Sequence, residues 1–409
     1  MYLLWKSELL SQLKSQSRES ARNAARLNIL QIIPTLQSGG AERTTVDIAQ
    51  AIIEAGGKAF VATRGGRMVD ELKAMGATLI SLPVESKNPV TIWRNMERLK
   101  RLIQHHHITL VHARSRAPAW SGYFAARACG TPFVTTYHGT YGARSALKRY
   151  YNSIMVRGDR VIANSTFIAE HIRKIYPNAA HKTVTIPRGL DLSAFDPRQV
   201  SQDTLNTMRR DWGLENDDRP IILLPGRLTR WKGQAVLINA ALKLIERGQK
   251  QFVCVLAGDA QGRHAYEEEL RSLSKLPALE GRVRIVGHCA DMPTAYALSQ
   301  VVVSTSTRAE AFGRIAVEAQ AMGKAVLATD HGGARETVIN GMTGWLVPPD
   351  DAEALAQALD AILSLEPDAI TALAARARAH VMKTYSLRLM CAKTMAVYQE
   401  LIRAYEERS

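Results

Sequence analysis

The sequence lacks the features of membrane-spanning, secreted and metal-clustered proteins. No apolar run among its 409 residues approaches the length that crosses a bilayer, and the N-terminal MYLLW is too short for the apolar core of a secretory signal. The triplet His105-His106-His107 has no spaced carboxylate or cysteine, so it is interpreted as an exposed turn. Cysteine is scarce, and its four copies stand far apart without metal-ligand spacing: Cys129, Cys254, Cys289 and Cys391. We therefore expect a cytoplasmic protein with reduced thiols and no metal site.

Acidic residues are scarce in the first half of the chain only. Residues 1–190 hold 27 Lys and Arg against 11 Asp and Glu, whereas residues 191–409 hold 26 against 27. This asymmetry favours an anionic partner for the first half, either an anionic membrane surface, a phosphorylated lipid acceptor or nucleic acid. Ordinary solvated side chains are the alternative. Aromatic residues that would stack on a nucleic-acid strand are not interleaved with these cations, so we do not expect nucleic acid.

The apolar pattern predicts an α/β protein with two doubly wound, Rossmann-like domains that face each other across a cleft. Six short β-like runs alternate with helical stretches in each half, which is typical of parallel βαβ sheets. A polar segment that ends in ENDDRP separates the two series. The predicted parts are a basic extension over residues 1–27, a first domain over 28–195, a second over 196–385, and a final helix over 386–409 that packs back toward the first domain.

The extension differs in composition from the first domain. Its apolar residues share a short helical stretch with two lysines, and the polar, basic run SQSRESARNAAR comes next. This pattern predicts an amphipathic helix at an anionic membrane surface, with a helix packed on the protein or a frayed tail as alternatives.

Ligands of open α/β sheets bind beyond the carboxyl ends of the strands, and two such ends in the first half carry candidate residues. Gly39 and Gly40 separate a strand from a helix, where backbone amides favour an anion, although a plain tight turn also needs glycine. His138 follows a buried strand and is either a donor to a sugar hydroxyl or transferring group, or a structural histidine. A neighbouring strand is followed by basic residues that could meet an acceptor: His112, Arg114 and Arg116.

Two further strand ends lie in the second half. In PGRLTRWKG, Arg227 offers a forked donor and Lys232 a point charge, a pair suited to a diphosphate; a surface charge pair is the alternative. In EAFGRIAVE, Gly313 marks a turn, and the amides of Gly313, Arg314 and Ile315 start a helix that can hold a phosphate.

The two glutamates of EAFGRIAVE are interpreted as having separate roles. In one continuous helix Glu310 and Glu318 would point about 80° apart. Glu318 could accept hydrogen bonds from both hydroxyls of a ribose, and Glu310 from a sugar beyond the phosphates. The alternative is that Glu310 caps the helix locally and Glu318 pairs with a buried cation.

Taken together, the ordered segments resemble the retaining glycosyltransferases of family 4, which have the GT-B architecture. The resemblance runs from about Asn28 to the final helix and rests on SGGAERTTVDIA, HARSRAPAW, TTYHG, VIANS, PGRLTRWKG, AGD and EAFGRIAVEAQAMGKAV. One departure is Arg188 in IPRGLDLSAF, where the family often has asparagine.

The resemblance implies that the second domain binds a nucleotide-diphosphate sugar and the first domain the acceptor. Arg227 and Lys232 would hold the diphosphate and Glu318 the ribose. Glu310, with the backbone of Phe312, Gly313, Arg314 and Ile315, would meet the donor sugar and phosphate. Gly40 would lie beside the phosphates and His138 beside the sugar.

These expectations lead to a predicted reaction. We expect metal-independent hexose transfer with retention, needing no cofactor beyond the nucleotide sugar, because cations and helix-start dipoles can stabilise the leaving diphosphate. The expected acceptor is an anionic lipid-linked or envelope glycan, such as lipopolysaccharide core or a polysaccharide precursor, reached from the inner face of the cytoplasmic membrane. A nucleotide-sugar 2-epimerase on the same fold and a non-catalytic sugar-nucleotide binder are the alternatives.

Overall fold

The computed structural model describes residues 27–37, 39–142 and 145–408. The amphipathic helix expected over residues 1–27 therefore lies outside the described residues, apart from Leu27. The chain divides into two compact units. Unit 2 spans Gly189–Leu387, and unit 1 comprises the described residues up to Arg188 together with those from Arg388 onward.

Unit 1 is built on a seven-stranded parallel sheet covered by helices. Its strands are Asn28–Ile32 (β1), Lys58–Thr63 (β2), Thr78–Ser81 (β3), Leu110–Ala113 (β4), Phe133–Tyr137 (β5), Arg160–Ala163 (β6) and Thr183–Thr185 (β7), in the order β3-β2-β1-β4-β5-β6-β7. Its first helices are Gly40–Glu54 (α1), Val69–Ala74 (α2), Pro89–His105 (α3), Arg116–Ala128 (α4), Ala146–Ser153 (α5) and Thr166–Ile175 (α6). Six strands were expected, and the short β7 adds one at the sheet edge.

Unit 2 repeats the plan with a six-stranded parallel sheet. Its strands are Ile221–Pro225 (β8), Val253–Ala257 (β9), Val283–Gly287 (β10), Val301–Ser304 (β11), Ala325–Thr329 (β12) and Trp345–Val347 (β13), in the order β10-β9-β8-β11-β12-β13. Its helices are Gln202–Asp211 (α7), Gln234–Glu246 (α8), His264–Ser274 (α9), Met292–Leu298 (α10), Arg314–Ala321 (α11), Ala334–Thr337 (α12), Ala352–Leu363 (α13) and Pro367–Thr384 (α14). Short 3-10 turns cover Ile154–Val156, Pro177–Lys182, Pro197–Gln199, Arg230–Lys232 and Pro277–Leu279.

The central strands are apolar because helices cover both faces of each sheet. All residues of β5, β8 and β9 are buried, as parallel strands in doubly wound folds require. The fold class read from the sequence, α/β with two doubly wound parallel units, is confirmed. None of the described helices is both long and apolar enough to cross a bilayer.

The last helix, Leu387–Glu406 (α15), packs on unit 1. The buried hydroxyl of Tyr398 lies 2.5 Å from the ring of His112, and the hydroxyl of Tyr405 donates to Asp159 at 2.9 Å. The crossing into unit 2 falls at Gly189, a few residues before the expected start at residue 196. Leu190 accounts for the difference, because its N–H donates to the carbonyl of Tyr385 at 2.7 Å and its side chain joins the core of unit 2.

In each sheet the strand order reverses at one place. In unit 1 this switch point lies between β1 and β4, and in unit 2 it lies between β8 and β11. Helices that follow neighbouring strands at such a point lie on opposite faces of the sheet and leave a crevice at the carboxyl ends. The candidate residues of unit 2 lie in the two loops that leave this point.

Candidate active site

The two loops at the switch point of unit 2 are bound tightly to each other. One leaves β8 and enters α8 through Gly233, whose φ of 74° is left-handed. A Cβ on Gly233 would lie 1.9 Å from the carbonyl oxygen of Thr305, in the loop that leaves β11. Thr305 also donates from its hydroxyl to the carbonyl of Gly233 at 2.9 Å, and Thr307 donates from its N–H to that of Trp231 at 2.8 Å. The loops therefore form one rigid platform, and glycine is required where they touch.

An ion pair joins the two loops. Lys232 Nζ lies 2.7 Å from Glu310 Oε1, with only 12% and 17% of the side chains exposed. Ser306 donates its hydroxyl to the same carboxylate oxygen. The stem of Lys232 runs past Gly226, since a Cβ built there would lie 3.7 Å from Lys232 Cδ and Cε. Arg227 follows Gly226 and is exposed at this strand end. The structure thus gathers Arg227, Lys232 and Glu310, three of the predicted residues, at one edge.

The loop after β12 contacts the backbone of Glu310. Gly333 donates from its N–H to the carbonyl of Glu310 at 2.8 Å. Gly332, at a left-handed φ of 60°, packs so closely that a Cβ would lie 2.5 Å from that carbonyl oxygen. His331 Nε2 donates to the carbonyl of Ser306 at 2.8 Å, and its Nδ1 is buried with no partner among the described residues. Sequence reasoning missed this loop, although DHGG directly follows an apolar strand.

Helix α11 begins beside the ion pair. Gly313 precedes it at a left-handed φ of 86°, and no side chain among the described residues caps this end. Phe312 is buried, with its ring 5.5 Å from that of Tyr385, so only its backbone can face a ligand. The helix starts at Arg314, as predicted. Its first turn, which includes Ile315, presents the positive end of the helix dipole to an anion.

Glu318 is held by partners of its own. Its side chain is 7% exposed; it accepts a hydrogen bond from Tyr296 Oη at 2.7 Å and another from Nε of the half-exposed Arg314. Burial, followed by the charge of Glu318, raises the pKa of Tyr296 well above its usual value, so the phenol stays protonated and donates. Glu310 and Glu318 therefore have separate partners, and their separate roles toward a ligand stay a prediction. The partners of Glu318 are a buried phenol and a half-exposed guanidinium rather than a buried cation.

In unit 1, Arg188 brings Gly40 and His138 together. Arg188 Nη2 lies 3.3 Å from His138 Nδ1, and because a guanidinium only donates, Nδ1 must accept and Nε2 must carry the proton. That Nε2 is buried with no partner among the described residues. Burial, with the charges of Arg188 and Arg114, lowers the pKa of His138 well below its usual value, so the ring is neutral. A Cβ on Gly40 would lie 1.4 Å from Arg188 Nη1, so the guanidinium lies directly against the start of α1.

His112 and Arg114 do not face an acceptor, so that expectation is wrong for both. His112 is fully buried, with Nδ1 2.5 Å from Tyr398 Oη and Nε2 2.7 Å from Thr136 Oγ1. Arg114 is also buried and donates twice to Gln31 Oε1, at 2.8 and 2.6 Å. Both side chains point into the interior of unit 1 and make their hydrogen bonds there.

Arg116 is likewise engaged within unit 1. It donates to Asn152 Oδ1 at 2.9 Å, and its guanidinium lies 4.2 Å from the ring centroid of Tyr141. The histidine triplet ends α3 and enters the next turn, with His105 and His107 exposed as expected. Over the described ranges, no group of three His, Cys, Asp or Glu side chains is arranged to hold a metal ion.

Two family descriptions together match most of the chain. Residues 38–194 match "Glycosyltransferase Family 4", and residues 208–380 match "Glycosyl transferases group 1". The first match covers the loop of Gly40 and the strand end of His138. The second covers the whole platform of Lys232, Glu310 and Glu318.

Individual proteins agree with these matches. A crystal structure of a glycosyltransferase from Rickettsia africae ESF-5 is 37% identical, with a TM-score of 0.85 over 92% of this chain and 98% of that one. Anabaena Alr3699/HepE, in complex with UDP and glucose, is 25% identical with a TM-score of 0.75 over 91% and 99% of the two chains.

A curated relative is the GDP-mannose-dependent alpha-(1-6)-phosphatidylinositol monomannoside mannosyltransferase of Mycolicibacterium smegmatis. It is 32% identical over 65% of this chain and 70% of its own length. The chain spans 63–67% of the length of three other curated relatives. The chain therefore belongs to glycosyltransferase family 4, and its two Rossmann-like units are those of the GT-B fold.

Proposed function

We propose that this protein transfers a hexose from a nucleotide-diphosphate sugar to an anionic lipid-linked or cell-envelope glycan, such as lipopolysaccharide core or a polysaccharide precursor, with retention of configuration. One observation carries the proposal. The Lys232–Glu310 pair, with a nitrogen–oxygen distance of 2.7 Å, lies at the switch point of unit 2 beside the start of α11. Cation, carboxylate and helix start are the three groups that a sugar diphosphate needs at one place.

The donor assignment follows from complementary chemistry. Lys232 and Arg227 match the charges of a diphosphate, and the start of α11 supplies a further positive dipole. The carboxylates of Glu310 and Glu318 are hydrogen-bond acceptors, and the hydroxyls of a sugar and of a ribose can donate to them. The bound UDP and glucose of HepE and the GDP-mannose dependence of the mycobacterial relative support this class of donor.

The proposed step breaks the bond between the anomeric carbon and the diphosphate oxygen. The acceptor hydroxyl forms the new bond on the same face of the ring and passes its proton to the leaving phosphate oxygen. Lys232 and Arg227 stabilise the charge that develops on the diphosphate, so transfer proceeds without a metal ion. Glu310 orients Lys232 for this role, because its carboxylate accepts a hydrogen bond from the ammonium group. Ser306 supports this arrangement by donating to the same carboxylate. The family resemblance adds Gly40 and His138 as donor contacts, which stays a prediction.

The acceptor assignment follows from the charge of unit 1. Its excess of Lys and Arg suits a phosphorylated acceptor and an anionic membrane surface, and no nucleic acid is proposed. The mycobacterial relative, named for a phosphatidylinositol mannoside, supports a lipid-linked acceptor. We place the reaction at the inner face of the cytoplasmic membrane, where the protein binds peripherally.

The donor site is tested with Glu318→Ala and the isosteric Glu318→Gln. A panel of UDP-, GDP- and ADP-sugars is first screened for the one that raises the melting temperature of the wild type, since ligand binding stabilises the folded state. We expect both variants to lose that shift and to lose transfer, while circular dichroism shows a folded protein. Glu353→Gln is the matched control, because Glu353 pairs with Arg247 on the surface of α13. Transfer at the wild-type rate by both Glu318 variants would contradict the assignment.

Three further measurements separate the chemical alternatives. Conversion of the nucleotide sugar without acceptor would identify an epimerase instead, and binding without any conversion would identify a sugar-nucleotide binder. Anomeric configuration of the product, read by NMR, tests retention. Unchanged rates after removal of divalent metals by EDTA test metal independence.

A further inference from the structure

Unit 1 carries an apolar cavity of about 450 Å³ at its surface. Three helices line it. One face of α3 contributes Ile92, Trp93 and Met96, α4 contributes Trp120 and Phe124, and α5 contributes Tyr151. The spacing of these side chains along α3 and α4 places each set on one helical face. The N-terminus of α3 is capped, because the Asn88 side chain accepts hydrogen bonds from the N–H groups of Val90 and Thr91.

The cavity opens to solvent through large aromatic side chains. Trp93 is 59% exposed and Phe124 is 42% exposed. Exposed aromatic side chains around an apolar cavity mark a binding site more often than a solvent surface. The indole Nε1 of Trp120, the polar atom of that side chain, is buried with no partner among the described residues.

Two cations lie at the cavity. Lys87 contributes to its lining, and the guanidinium of Arg157 lies 5.2 Å from the ring centroid of Trp120. Glu97 is the single acidic residue of the segment 87–158, which supplies all of the lining. An apolar interior with Lys87 and Arg157 at its edge is complementary to a hydrocarbon chain that ends in a phosphate.

We infer that this cavity binds the hydrocarbon chain of the lipid-linked acceptor, with the phosphate of that lipid at the cationic rim. The inference deepens the proposed function and rests on it for the identity of the lipid. A bilayer surface is a poorer occupant, because hydrocarbon chains of a bilayer meet flat or convex apolar faces rather than a cavity between three helices. A second copy of the chain is also poorer, because a two-fold interface would set the same cations against each other.

The experiment measures binding of monomeric alkyl phosphates by calorimetry, from butyl to dodecyl, each below its micelle concentration. We expect affinity to rise by about fourfold for each added methylene, until the chain outgrows the cavity. The double variant Trp93→Ala/Phe124→Ala should bind dodecyl phosphate at least tenfold more weakly. Both side chains are partly exposed, so the variant should fold. Val90→Ala and Leu147→Ala are matched controls, since both residues are exposed apolar side chains outside the cavity lining.

Three outcomes would overturn the inference. Equal affinity for inorganic phosphate and dodecyl phosphate would mean a charge site only. Binding to phosphatidylglycerol vesicles without binding to monomeric alkyl phosphates would mean a bilayer surface. A wild-type dimer that the double variant converts to a monomer, by analytical ultracentrifugation, would mean a second copy.

The outcome also separates this inference from the proposed function. Chain-length-dependent binding with no transfer to any lipid acceptor would leave the cavity assignment standing and the acceptor proposal wrong. Transfer to lipid acceptors at rates that depend neither on chain length nor on the double substitution would leave the acceptor proposal standing and the cavity assignment wrong.

Discussion

The two units share a topology, but the charged groups at their strand edges are organised in different ways. In unit 2 both signs are present and paired, with Lys232 against Glu310 and Glu318 held by Tyr296 and Arg314. In unit 1 the edge carries Arg188 and a neutral His138 that keeps one N–H without a partner among the described residues. The chemistry therefore lies in the loops grafted on the strand ends, and the sheet order alone does not distinguish the units.

The pairing in unit 2 also explains why a charged site is stable there before any ligand binds. A largely buried lysine is costly unless its charge is balanced, and Glu310 balances that of Lys232. When a diphosphate binds, it can replace part of the negative charge that Glu310 supplies to Lys232. Glu310 stays in place, because Ser306 donates to its carboxylate and Gly333 donates to its carbonyl. In unit 1 no buried charge has to be balanced at His138, because burial lowers its pKa and keeps the ring uncharged.

The largest expected effect comes from removing the cation of unit 2. Lys232→Met keeps the stem but leaves Glu310 without its cationic partner, so the developing charge on a leaving diphosphate would lose its main stabilising group. We expect kcat to fall by about a hundredfold to a thousandfold, typical of removing one electrostatic contact in an active site. Initial rates at saturating donor measure this.

Lys243→Met is the matched control, because Lys243 lies on α8 in an exposed pair with Glu246. A Lys232→Met rate within threefold of that control would show that the ion pair only holds the two loops together.

The next largest effect concerns the rigidity of the same platform. Gly233→Ala adds a Cβ 1.9 Å from the carbonyl oxygen of Thr305 at a φ of 74°. We expect a loss of about 3 kcal/mol in the free energy of unfolding, from backbone strain plus the displaced loop. Urea denaturation followed by a unit 2 probe such as Trp231 measures it.

Gly248→Ala separates strain from collision. Gly248 has a φ of 92°, but a Cβ there would meet nothing within 4 Å. We expect a cost of only about 1 kcal/mol at that position. Equal losses for the two variants would mean that the contact between the loops contributes little.

The sequence predicted the residues that depend on position along the chain. Arg227, Lys232, Glu310 and the helix start at Gly313 each follow a recognisable apolar strand, and strand ends of a parallel sheet lie along one edge. That local information was sufficient to place them near each other in unit 2. Resemblance to the family then supplied the roles that spacing alone does not give.

What the sequence could not supply was the direction of a side chain and its distant partners. His112 and Arg114 stand at a strand end, as functional residues would, yet both point inward. The hydroxyl that receives His112 belongs to Tyr398, 286 residues away. Tyr296 was missed for the same reason, since only the fold brings it to Glu318. The loop of His331 does follow an apolar strand, but its contacts with Ser306 and Glu310 also depend on the folded sheet.

A smaller effect distinguishes the units by pH. Burial lowers the pKa of His112 and of His138, both in unit 1, well below the value near 6.5 of an unfolded histidine. Below pH 6.5 the unfolded chain therefore binds more protons than the folded one, so stability falls as the pH falls. The slope reaches about 1.4 kcal/mol per pH unit for each histidine.

Hydrogen exchange at pH 7.5 and 5.5, corrected for intrinsic rates, measures this in each unit. We expect β4 and β5 of unit 1 to lose more protection than β8 and β9 of unit 2. Unit 2 does contain His380, whose pKa burial also lowers, but that ring is only partly enclosed. His112→Gln should flatten the response of unit 1, and an equal loss in both units would contradict the assignment.

The smallest effect tests how Glu318 is held. Tyr296→Phe removes the hydroxyl that donates to Glu318 at 2.7 Å but keeps the ring, which packs 6.3 Å from that of Phe195. A hydrogen bond to a carboxylate contributes about 1.5 kcal/mol, so we expect KM for the donor to rise about tenfold while kcat changes little. Tyr266→Phe is the matched control, because Tyr266 is buried in unit 2 and donates to Gln234 instead. A fall in kcat at unchanged KM would mean that Glu318 acts in the transition state rather than in holding the ribose, because only an interaction that strengthens during the reaction affects kcat alone.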